Sequence, residues 1–85
     1  MKSRIEQLKQ FTVEDPQDAF SWYALALEYK KSDVGKAIEI FSRLITDHRE
    51  YVPTYYHLGR LYQEAGRNEQ AHQVFVQGVE EARKQ

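Results

Sequence analysis

The chain contains no cysteine. Disulfides, thiolate nucleophiles and thiolate metal ligands are therefore excluded, and cysteine usage assigns no redox compartment. Proline occurs twice and glycine four times in 85 residues. Backbone breakers this sparse leave room for helices, and no Gly-rich phosphate loop can be assembled from them. No apolar run approaches the ~20 residues of a membrane-spanning helix. Met1, Lys2, Ser3 and Arg4 are not followed by the contiguous apolar stretch of a secretory leader. The expectation is a cytoplasmic chain with no membrane partner. An excess of one charge is missing too: twelve Lys and Arg stand against thirteen Asp and Glu, a net charge of −1. That balance provides no long-range attraction for nucleic acid. Lys30, Lys31 and Lys36 cluster, and Arg43 and Arg49 follow at a distance, but acidic residues interleave. The basic stripe of a helical nucleic-acid reader is not formed.

What the chain does have is repetition. Trp22, Leu25, Ala26 and Tyr29 recur 33 positions later as Tyr55, Leu58, Gly59 and Tyr62. Ala37, Phe41 and Ile45 recur 34 positions later as Ala71, Phe75 and Val79. Self-similarity at this period is the mark of stacked helical hairpins. The length suits one domain, residues 1–85, with a thin core.

The helices can be placed from their punctuation. Ile5, Leu8 and Phe11 fall at helical spacing, and Asp15 and Pro16 end that helix. Asp18 suits the N-cap of a second helix, apolar over most of its girth from Phe20 to Tyr29. Ser32, Asp33 and Gly35 read as a turn. Ile38, Ile40, Phe41, Leu44 and Ile45 lie on a third helix. Pro53 suits the first turn of a fourth, which ends near Gly66. A fifth starts near Asn68 and runs to about Arg83. Strand alternation is absent. Short connections force antiparallel neighbours. Ala26, Ala37, Gly59 and Ala71 then let paired helices approach closely, with Trp22, Tyr29, Tyr55 and Tyr62 filling the space beside them.

These residues resemble the tetratricopeptide repeat, whose first helix carries an aromatic, Leu, Gly or Ala, and Tyr, and whose second carries Ala, an aromatic and a small residue before a Pro. The resemblance covers nearly the whole chain. It implies an all-α fold of about five helices, antiparallel hairpins stacked as a short right-handed superhelix. Residues 3–14 would be the second helix of a half-repeat, in register through Leu8, Phe11 and Pro16 with Phe41, Leu44 and Arg49. Residues 19–51 and 52–85 would be complete repeats. Departures from the pattern are local. Arg4 occupies a small-residue position, Arg49 stands where Pro is expected, Leu44 is larger than the usual alanine, and Gly78 is smaller.

The resemblance also implies a concave groove lined by the first helix of each hairpin. The matching positions are Phe20, Tyr23, Leu27, Lys30 and Lys31, then Pro53, Tyr56, His57, Arg60 and Gln63. The residues themselves support a separate stripe: Tyr23, Leu27 and Lys30 lie away from the packed Trp22, Leu25 and Tyr29, yet carry large apolar groups. Such a stripe is a candidate protein-binding surface. Burial by the N-terminal helix, as core, is the other reading of Phe20 and Leu27. The paired Lys, Asn and Arg that some relatives use to grip a C-terminal carboxylate are replaced by Tyr23, Leu27 and His57, so that grip is not expected.

The last helix carries more apolar side chains than one hairpin partner would cover, with Val76 and Val79 on the surplus face. Three readings stand: a homodimer through that face, a piece of a longer array, or a few solvated valines. His48, His57 and His72 lack ligand partners at i+3 or i+4, so no metal site is expected. No cofactor motif and no nucleophile–base arrangement has supporting context, and an enzyme is not expected. The function expected is non-catalytic: binding a peptide segment or partner protein in the groove, or self-association through the last helix.

Overall fold

The computed structural model describes residues Met1–Gln85 as five α-helices and no strands: α1 (Arg4–Glu14), α2 (Ala19–Tyr29), α3 (Val34–Asp47), α4 (Pro53–Glu64) and α5 (Asn68–Arg83). The first four starts each have a local cause. The Ser3 hydroxyl accepts from the Glu6 amide at 3.1 Å. Asp18 accepts from the Phe20 amide at 3.2 Å and the Ser21 hydroxyl at 2.7 Å. Asp33 accepts from the Lys36 amide at 3.1 Å. Each of the three amides is a donor that a helix N-terminus otherwise leaves orphaned. α4 starts instead on Pro53, with no side-chain cap. Gly66, at φ 78°, turns the chain after α4 in a left-handed conformation that costs glycine little.

One expectation is corrected here. Gly35 is not in the turn but in the first turn of α3. Asp33 captures the Lys36 amide and so starts the helix at Val34, ahead of the glycine.

Each helix packs on the next in sequence, α1 on α2, α2 on α3, α3 on α4 and α4 on α5. The result measures 40 × 30 × 13 Å over its Cα atoms. Its thinnest dimension is that of two packed helices measured on their Cα atoms, so no residue lies far from solvent. One core runs through the array from Leu8 to Val74, centred on Leu25, Phe41, Leu44, Tyr55, Leu58 and Leu61. Ala26 and Ala37 have no exposed surface. A Cβ on Gly59 would meet the Phe75 ring, and one on Gly78 would stand 2.7 Å from Tyr55 Cβ. Gly78 is therefore smaller than the usual alanine because α4 and α5 approach closely there.

Two hydrogen bonds repeat with the sequence. Trp22 Nε1 donates to the Pro16 carbonyl at 2.9 Å, and the Tyr55 hydroxyl donates to the Arg49 carbonyl at 2.8 Å. Donors and acceptors are each 33 residues apart, so both hairpins tie their first helix to the connection before it in the same way. Arg49, at the position where the repeat pattern has Pro, also forms an ion pair with Glu81 at 3.8 Å. Gln85 donates to the Glu50 carbonyl at 2.7 Å, so the end of α5 is bound to the same connection.

In α1 the buried positions are Leu8 and Thr12. Phe11, whose register partner Leu44 is buried, is half exposed. α1 packs chiefly on α2, and Phe11 falls on the side of Leu8 away from Thr12.

Candidate functional site

Side chains of α2 and α4 that leave the packed stripe meet on one surface. Tyr23 is the hub. Its ring centroid lies 6.5 Å from Phe20, 6.1 Å from Phe41, 5.3 Å from Tyr51 and 5.6 Å from His57. His57 stacks on Phe41 at 6.0 Å with 11° between planes and meets Tyr56 edge-on at 5.3 Å. These separations and tilts are those at which aromatic rings attract beyond their area burial. The cluster has a buried floor, Phe41, and an open rim: Phe20 and Tyr56 are 61% and 60% exposed.

The expected groove residues take different places. Phe20, Tyr23, Tyr56 and His57 are brought together in the cluster. Leu27 is partly buried and packs against the core beside Tyr23, so it contributes to stability as well as to the surface. Lys30 is partly buried and close enough to His57 to act on its charge. Arg60 and Gln63 are exposed, and Arg60 donates to the Gln63 side-chain oxygen at 3.2 Å. Pro53 and Lys31 are exposed, and Lys31 is paired with Glu28 at 3.3 Å. α1 leaves Phe20 exposed rather than burying it.

Tyr51 belongs to the cluster and was not legible as a site residue. It sits in the connection between α3 and α4, outside any helical periodicity. The available signal was an aromatic residue closing the otherwise polar stretch Asp47–Glu50.

The electrostatics follow from this enclosure. Burial raises the Tyr23 and Tyr51 hydroxyls above the ordinary phenol range, and each is further raised by a neighbour, Tyr51 for Tyr23 and Asp18 for Tyr51. Burial lowers the His57 imidazole below the usual histidine range, and the Lys30 ammonium lowers it further. Near neutral pH the cluster therefore presents neutral rings between the cations of Lys30 and Arg60.

A second concavity of about 840 Å³ lies between α1 and α3, floored by Trp22 and Leu25 and walled by Thr12, Val13, Ile40 and Leu44. None of the expected site residues lines it. No group of three or more His, Asp or Glu is placed to hold a metal ion. No helix is long and apolar enough to cross a membrane. On α5, Ala71, Val74 and Gly78 are buried, whereas Val76 and Val79 are 42% and 52% exposed on the far side.

Known proteins place this architecture. Residues 28–85 match the family model described as tetratricopeptide repeat. The solution structure of a tetratricopeptide repeat domain protein from Salinibacter ruber is 44% identical over 82% of this chain and 72% of its own, with a TM-score of 0.78. The crystal structure of a tetratricopeptide repeat domain protein from the same organism is 41% identical over 79% and 76%, with a TM-score of 0.76. The crystal structure of MamA is 30% identical over 89% of this chain, with a TM-score of 0.80, and this chain spans 45% of its length. No curated protein matches the chain. The chain belongs to the tetratricopeptide repeat family. That fold serves in general as a protein–protein interaction module, and the family is in general a non-catalytic scaffold.

Proposed function

We propose that this chain binds a segment of another protein in the groove between α2 and α4. The observation that carries the reading is the aromatic cluster, in which Phe20 and Tyr56 stay exposed while their neighbours Tyr23 and His57 are held rigidly on Phe41. A protein spends ordering entropy when it binds, and anchors already fixed in place reduce that cost. Arg60 and Lys30 flank the rings, and tyrosine and arginine are among the residue types that anchor interfaces best. On this reading residues 3–14 act as a half-repeat, with residues 19–51 and 52–85 as repeats that each supply one wall.

The test is a selection of peptides from a display library on the wild-type chain, followed by binding to Tyr56→Ala/Arg60→Ala. Both side chains are exposed, so the melting temperature should stay within a few degrees. Selected peptides should bind the double variant at least about tenfold more weakly, a loss of about 1.4 kcal/mol. Equal binding to both proteins would place the site elsewhere.

A second reading rests on its own observation: Val76 and Val79 form an exposed apolar stripe on α5. A two-fold pairing of such stripes needs only one self-complementary patch.

A further inference from the structure

We infer that the groove selects a segment in which a carboxylate lies among apolar side chains, that Lys30, His57 and Arg60 receive this carboxylate, and that its capture draws a proton onto His57. This deepens the groove reading above and rests on it.

Two cations beside the cluster are left without an ion-pair partner. The ion pairs of the molecule are Lys31–Glu28, Lys36–Glu39, His48–Glu50, Arg49–Glu81 and Lys84–Glu81. Lys30 and Arg60 are in none of them. The only side-chain partner of Arg60 is the neutral amide of Gln63. The carboxylate closest to the cluster by its effect is Asp18, which acts on Tyr51, but its two oxygens are engaged by the Phe20 amide and the Ser21 hydroxyl. Two cations therefore border an apolar aromatic surface without an ion-pair partner in their own chain. A carboxylate supplied from outside, on a segment whose apolar groups cover Phe20 and Tyr56, complements both features.

His57 makes the site responsive. It faces Tyr23 and Lys30 on α2, the uncharged Phe41 ring on α3, and Tyr56 on its own helix, with Arg60 one turn further along. Tyr51 joins through Tyr23. The tyrosines hold their protons throughout the mildly acidic range, so only the imidazole changes charge there. In the free protein, burial and Lys30 both oppose its protonation. An incoming carboxylate offsets the Lys30 charge and favours the imidazolium. The sign follows from linkage. The group binds its proton more tightly in the complex than in the free chain, so affinity rises as pH falls from the bound value towards the free one, and levels off below it. Each unit separating the two values is worth about tenfold in affinity.

The experiment uses two panels of rhodamine-labelled twelve-residue peptides with the same Leu and Phe positions. One panel carries Glu and Asp at the remaining polar positions and the other carries Gln and Asn. Binding is read by fluorescence anisotropy at pH 7.5 and 6.0. The best acidic peptides should bind at least about tenfold more tightly than their amide twins. They should tighten several-fold more at pH 6.0. His57→Gln should abolish the pH response and bring the preference for acidic peptides at pH 6.0 down to its pH 7.5 level, which separates this imidazole from His48 and His72. Lys30→Gln should erase most of the preference while its melting curve stays unchanged. Equal binding of the twins would overturn the carboxylate inference and leave the groove reading intact. A wild-type affinity flat with pH would overturn proton uptake. Absence of binding by either panel, or binding indifferent to Tyr56→Ala, would bring down the groove reading and this inference with it.

Discussion

Gly59 and Gly78 stand at close helix contacts, but their neighbours differ in their freedom to move. A methyl at position 78 would press on Tyr55 Cβ, an atom that moves only with the α4 backbone. A methyl at position 59 would press on the outer ring atoms of Phe75, which is only partly buried and can turn. Replacing glycine by alanine inside a helix stabilises by about 1 kcal/mol when space is free. Overpacking costs about 1–3 kcal/mol. Gly78→Ala should therefore destabilise the chain, and Gly59→Ala should do so less; chemical denaturation of the two variants side by side checks the order. Thr54 is the opposite case. Its side chain is fully buried and its hydroxyl has no hydrogen-bond partner. Thr54→Val removes an orphaned polar atom at nearly constant shape and should stabilise by about 1 kcal/mol. A melting-temperature rise of about 4–8 °C would register it, and a fall would show that the hydroxyl has a partner in solution. Neither effect can be read from sequence. Gly78 looked like a mere departure from pattern, and Thr54 sits among aromatics as an unremarkable polar residue, because the distances that decide both cases run between helices.

At the scale of the helix, punctuation made most of the fold legible. Asp18, Pro53 and Gly66 act at starts and stops for reasons that need no tertiary context, and the two quartets that define the repeat contribute Leu25, Ala26, Leu58 and Gly59 to the buried set. Gly35 was misread because a glycine beside a serine and an aspartate resembles a turn, whereas the Asp33 carboxylate is what decides where α3 begins. Asp33→Ala should cost about 1 kcal/mol. Amide exchange in the first turn of α3 should accelerate more than exchange in α4; uniform acceleration would mean that the cap supports the whole array rather than its own helix. The candidate site was partly legible. Periodicity separates Tyr23 and Tyr56 from the packed stripe. It is silent on Tyr51, which lies in a connection, and on the Lys30–His57 pairing, which joins two helices.

For the molecule as a whole, the small thickness means that most apolar side chains have some surface exposed. An apolar patch must therefore be judged by contiguity and not by exposure alone. Val76 and Val79 lie one helical turn apart on α5, whereas Val13 belongs to the wall of the concavity between α1 and α3. If this stripe pairs two copies, light scattering on a sizing column should give about twice the 10.1 kDa formula mass. Val76→Glu should then return the chain to that mass. A wild-type chain that already runs at 10.1 kDa at high concentration would dismiss the pairing and leave the valines as solvated surface.

Trp22 is the sole tryptophan, and its indole is tied to the Pro16 carbonyl at the junction of α1 and α2. The six tyrosines are spread from Tyr23 to Tyr62. The chain thus carries a built-in reporter at one end and a distributed one along the rest. In an array whose helices pack mainly on their sequence neighbours, loss of order can begin at an end and travel. Tryptophan emission would then change at a lower temperature than tyrosine emission or helical dichroism, and the gap between the curves would measure how far α1 unravels before the rest of the array follows.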